Sequence, residues 1–112
     1  MKKILIIDDE VDLCLMIKQF LTKRNYEVHM AHTLTDGFNY LKTLTPDALI
    51  LDNNLPDGMG WDIAESILEK YPRIKITLIS AFRLARDFGT NHSESIKILE
   101  KPVSFVEIEQ FL

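Results

Sequence analysis

Ile4-Leu5-Ile6-Ile7-Asp8-Asp9 and Ala48-Leu49-Ile50-Leu51-Asp52 read alike: a short, uninterrupted apolar run that stops on acid. Two further runs have the same shape and different endings. Ile76-Thr77-Leu78-Ile79 ends in Ser80, and Ile96-Lys97-Ile98-Leu99 passes through Glu100 into Lys101-Pro102. Runs this rich in Ile and Leu, without polar alternation, read as strands covered on both faces, the habit of parallel sheets. Tyr26 to Ala31 makes a fifth, weaker strand. As parallel neighbours, the runs would bring three carboxylates, a hydroxyl and an ammonium to one edge of one sheet.

Between the runs the apolar spacing becomes helical. Leu13, Ile17, Phe20 and Leu21 share one face of a first helix; Leu34, Phe38, Leu41 and Leu44 do so in a second. Trp61, Ala64, Ile67, Leu68 and Tyr71 line a third, which Pro72 stops. Capping residues agree: Asp9 stands three before Asp12, Thr33 three before Asp36, and Ser104 to Glu107 is a capping box with Val103 and Ile108 as its staple. The alternation predicts an α/β fold over residues 1–112, with a parallel sheet, right-handed crossovers and helices on both faces. Residues 82–95 fit less well. Leu84, Ala85 and Phe88 predict a short fourth helix, ended by Gly89-Thr90-Asn91. The last helix, Ser104 to Leu112, has barely two turns, which suggests a domain cut from a longer chain.

A chain of 112 residues is long enough for one domain with its own core. A net charge of -4 gives no reason to expect nucleic-acid contact. No apolar run approaches the ~20 residues that span a bilayer, and acid at positions 8–10 ends the N-terminal run too early for a signal peptide. The one cysteine, Cys14, lies in an apolar helical stretch and reads as a packed thiol in a reducing cytoplasm. His29, His32 and His92 match no metal-ligand spacing and read as solvated or packed imidazoles. Trp61 reads as a packing residue, and Asp57-Gly58 and Gly60 as turn residues that fold the backbone over the sheet edge.

Ligands of open parallel sheets bind outside the carboxyl ends of the strands. Asp8, Asp9 and Asp52 crowded there repel one another and call for a cation; an oxygen-only set suits Mg2+. Lys101 supplies a point charge for a carboxylate or phosphate oxygen, and Ser80 a hydroxyl donor. A carboxylate can accept a phosphoryl group, and such transfer needs mainly positioning and charge neutralisation.

Asp8-Asp9, Asp52 with Asn53-Asn54-Leu55-Pro56-Asp57-Gly58-Met59-Gly60 after it, Ser80-Ala81 and Lys101-Pro102 resemble, in order and spacing, the receiver domain of two-component response regulators. The resemblance covers nearly the whole chain. It implies a flavodoxin-like, doubly wound five-stranded sheet of order 2-1-3-4-5. It further implies Asp52 as phosphoacceptor, with a sensor histidine kinase, a phosphotransfer protein or a small phosphodonor as the source. Asp8, Asp9 and the backbone carbonyl of Asn54 would join Asp52 in holding Mg2+. Ser80 would bind the phosphoryl group, Lys101 would pair with it, and the Lys101-Pro102 bond would be cis. Output would pass through protein contacts to a partner or downstream domain, in the cytoplasm, with no membrane or nucleic-acid contact by this domain.

The chain departs from the family at Ile98, three residues before the lysine, where receivers usually carry Tyr or Phe. A β-branched side chain has little χ1 freedom and no ring to relocate. A pseudo-receiver, a constitutive interaction module on the same fold, is the competing reading. Phe82, two residues past Ser80, is a candidate shield of an acyl phosphate against water. An aspartate-nucleophile phosphatase would place a second Asp two residues after the first as acid/base, where this chain has Asn54. A flavin-binding flavodoxin is excluded because Asp8-Asp9-Glu10 would repel phosphate where that fold needs backbone donors.

Overall fold

Five parallel strands form one sheet: β1 (Lys3–Ile7), β2 (Glu27–Ala31), β3 (Ala48–Asp52), β4 (Lys75–Ser80) and β5 (Ile96–Glu100). Their order is β2-β1-β3-β4-β5, as expected, so the winding direction reverses between β1 and β3. The computed structural model describes residues 1–81 and 94–112. The expected short fourth helix, Phe82 and His92 lie outside the described residues.

Four helices are described: α1 (Val11–Thr22), α2 (Leu34–Leu44), α3 (Gly60–Lys70) and α4 (Phe105–Phe111). Because side chains alternate across a strand, each run feeds two cores. Leu5, Ile7, Leu49, Leu51, Ile76 and Leu78 pack in one with Leu34 and Leu41 of α2 and Ala64, Ile67 and Leu68 of α3. On the opposite face Ile4, Ile6, Ile50, Ile79 and Leu99 pack in another with Cys14, Ile17 and Leu21 of α1 and Ile108 of α4. Leu49 and Ile50, adjacent on the central strand, are both fully buried, one in each core. Each such side chain contributes about 1.5–3 kcal/mol on burial. That two-sided demand is why the runs lack polar alternation. The half-buried Ile98 packs on the α2–α3 side.

The helix ends follow the caps in part. Thr33 Oγ1 accepts from Asp36 N at 3.2 Å, and Ser104 Oγ from Glu107 N at 3.3 Å. Asp9 does not cap α1. The helix starts at Val11, Glu10 holds the cap position without a side-chain bond, and the acid that turns back is Asp8, whose Oδ1 accepts from Glu10 N at 2.9 Å. On α2 the inward face is Leu34, Gly37 and Leu41, while Phe38 is 38% exposed. Ile7 explains the shift: a Cβ on residue 37 would stand 2.3 Å from its Cδ1, so the helix presses its glycine onto β1 and turns Phe38 outward. A small antiparallel hairpin, Asn54–Leu55 with Gly58–Met59, follows β3 where the sequence indicated only a turn.

Candidate functional site

The registers decide what meets at the sheet edge. Ile7 pairs with Leu51, so the next residues along both strands are Asp8 and Asp52, side by side at the winding reversal. Asp52 pairs with Ile79, and Ile79 with Leu99, which leaves Ser80 and then Lys101 just beyond on the neighbouring strands. Lys101 N donates to Ser80 O at 2.8 Å, and the Lys101-Pro102 bond is cis.

Carboxylate oxygens of Asp8, Asp9 and Asp52 lie within 4.8 Å of one another. Asp8 and Asp52 are buried and Asp9 is exposed. The Lys101 ammonium stands 3.6 Å from Asp52 Oδ1 and 3.7 Å from Asp8 Oδ2, with its shortest bond, 2.5 Å, to Glu10 Oε1. Burial, reinforced by the neighbouring Asp8 charge, pushes the Asp52 carboxyl up to about 6 despite Lys101 and the Asn54 backbone N–H. Burial raises Asp8 as well, against the pull of the Glu10 N–H and Lys101. Lys101 is held above its usual value because Glu10, Asp8 and Asp52 together outweigh its desolvation. Among the described residues, the buried Asp8 Oδ2 has no hydrogen-bond partner. A buried carboxylate oxygen without a hydrogen bond, beside two further carboxylates, could hold a cation, and the all-oxygen donor set fits Mg2+.

Residues 4–112 match the model of the response regulator receiver domain. The chain belongs to this family. Receiver domains are signalling modules rather than turnover enzymes. The chemotaxis protein CheY of Thermotoga maritima is 35% identical over 83 residues, covering 71% of this chain and 68% of CheY. The photosynthetic apparatus regulatory protein RegA of Rhodovulum sulfidophilum is 29% identical over 79 residues, which cover 70% of this chain but only 43% of RegA. Among solved structures, the response regulator TrrA of Thermotoga maritima, in complex with Mg2+-BeF, superposes with a TM-score of 0.80 at 24% identity, covering all of both chains.

In this receiver several supports of the site come from residues that the motifs do not mark. The buried Asn53 binds three elements together: its N–H donates to Ile79 O at 2.8 Å, its carbonyl accepts from Gly60 N at 2.9 Å, and its Oδ1 accepts from Trp61 N at 2.8 Å. Asn53 thus caps α3 from seven residues upstream, beyond the usual cap spacing. Asn54 pairs with Met59 in the hairpin, and its backbone N–H works to lower the Asp52 carboxyl. Glu10 is the lysine's nearest partner across 91 residues of sequence, a pairing that no local pattern signals. The candidate residues Asp8, Asp9, Asp52, Ser80 and Lys101 do come together, with the Asn54 backbone alongside.

Beneath them, the Asp8 carbonyl accepts from Cys14 Sγ at 3.2 Å and lies 2.9 Å from His32 Nδ1. Cys14 is fully buried, and that burial pushes its thiol up to about 12. It is a packed donor, as read from the sequence. Native Cys14 is expected to react with iodoacetamide at pH 8 roughly a hundredfold or more slowly than in urea; equal rates would contradict its burial. His29 pairs with Glu27 at 3.0 Å, and among the described residues no histidine joins a cluster of three metal-ligating groups.

Proposed function

We propose that residues 1–112 form one receiver domain that takes a phosphoryl group on Asp52 from the phosphohistidine of a sensor histidine kinase or phosphotransfer protein, and signals through protein contacts in the cytoplasm. The observation that carries the reading is a buried carboxylate, Asp52, set between Asp8, whose Oδ2 has no hydrogen bond among the described residues, and the Lys101 ammonium 3.6 Å away. Asp8, Asp9, Asp52 and the backbone carbonyl of Asn54 would hold Mg2+. When bound, the ion would neutralise oxygen charge on the transferring group. Asp52 attacks phosphorus with a carboxylate oxygen; the P–N bond to the donor imidazole breaks, and the freed nitrogen takes up a proton. Lys101 leaves Glu10 to pair with the new phosphoryl oxygens, and the Ser80 hydroxyl donates to another. The Mg2+-BeF complex of TrrA supports the same chemistry on this fold.

Incubation with acetyl phosphate and Mg2+ is expected to add the mass of one phosphoryl group to the intact protein. A chelator or Asp52→Asn should abolish the addition. Modification that persists in Asp52→Asn would refute the assignment. Failure of the wild type to be modified would favour the second reading, a constitutive interaction module, for which Ile98 in place of a mobile ring is the supporting observation.

A further inference from the structure

The hairpin after Asp52 is tied at both ends. At its base Gly60 N donates to Asn53 O at 2.9 Å, which fixes the hairpin beside Asp52. At its tip Asp57 reaches another part of the chain. Its Oδ1 accepts from Leu34 N at 2.8 Å, and its Oδ2 from Thr35 N at 3.1 Å and Thr35 Oγ1 at 3.0 Å. Those amides open α2, whose positive end favours a carboxylate. They hold the Asp57 carboxyl below its usual range. The helix already has a cap of its own, Thr33 Oγ1 on Asp36 N, so Asp57 is not needed to define where α2 begins. The hairpin, in contrast, needs an anchor: two-residue strands are marginal alone.

We infer that Asp57 is a positioning residue for the metal- and phosphoryl-binding loop, holding Asn54 against Asp52 by anchoring the hairpin tip to α2. This rests on the reading of Asp52 and its neighbours as a Mg2+-assisted phosphoacceptor. The anchor also works in the other direction. Loading the site changes the charge beside Asn54, and a hairpin fixed at both ends passes any displacement there to Leu34 and Thr35. The route runs through backbone amides and does not use the side chain at position 98.

The test is an amide NMR titration of the full chain with Mg2+ alone, followed by beryllofluoride. In the wild type the Leu34 and Thr35 amides should shift together with those of residues 52–54. Asp57→Ala should weaken Mg2+ binding roughly tenfold and remove the Leu34 and Thr35 response. Asp57→Asn, which keeps an acceptor, should recover most of both. Thr33→Ala weakens α2 at its own cap without touching the hairpin and should bind Mg2+ as the wild type does. The inference is overturned if Asp57→Ala binds Mg2+ normally, if Thr33→Ala loses affinity equally, or if the wild-type Leu34 and Thr35 amides stay still while 52–54 shift. A wild type that binds no Mg2+ overturns the reading of the site itself, and this inference with it.

Discussion

Asp52→Asn is expected to make the metal-free domain more stable at pH 7 while leaving it unable to accept a phosphoryl group. Burial and the adjacent Asp8 hold the Asp52 carboxyl at about 6, against an ordinary value of 3.8. The native state therefore binds the proton more tightly than the unfolded chain. Stability from this group is fully present below about pH 4 and is lost as pH rises through about 6. At pH 7 the ionised carboxylate costs the fold on the order of 2–3 kcal/mol, which the amide removes. Urea unfolding in chelator should show a higher midpoint for the variant at pH 7, and a gap that closes as pH falls toward 4. Added Mg2+ should raise the wild-type midpoint and leave the variant's nearly unchanged. Equal midpoints at pH 7, or a gap that widens in acid, would show that Asp52 is not held in its charged form against its surroundings.

Gly60→Val is expected to cost about 3 kcal/mol, at the upper end of what overpacking a tight contact does. Gly60 opens α3, and a Cβ there would stand 2.6 Å from the backbone O of Asp52 and 2.9 Å from Leu51 Cγ. The first obstacle is main chain and cannot rotate away, so α3 must lift from β3. Gly60→Ala should move the urea midpoint the same way by a smaller amount. A Gly60→Val domain with the wild-type midpoint would mean that α3 does not sit against β3 as described. Close approach, rather than turn chemistry, is what position 60 demands.

The strands were legible because each is covered on both faces, a condition that leaves a local mark: consecutive Ile and Leu with no polar break. The terminal residues were legible for a related reason. A buried run must stop where solvent begins, and Asp8, Asp52, Ser80 and Lys101 stand at those stops. Capping of α2 and α4 was readable because donor and acceptor lie three residues apart. Other features had no such mark. Phe38 and Gly37 exchange inside and outside because Ile7, thirty residues earlier, leaves no room for a side chain. Asp9 and Asp8 divide their duties by the path of the β1–α1 loop, which composition does not specify.

By itself, then, the sequence determined the layering, the strand ends and which acids and which lysine share an edge, because all of these follow from burial repeated along short segments. Tertiary structure alone decided the partners. Lys101 lies nearest Glu10, the Asp8 carbonyl is held from below by Cys14, Asn53 caps α3, and Asp57 anchors the Asp52 loop to α2. Each of these joins groups separated along the chain by a distance that varies from 6 to 91 residues. No fixed spacing encodes them; the sheet order and the crossing of helices over it bring each pair within a hydrogen bond.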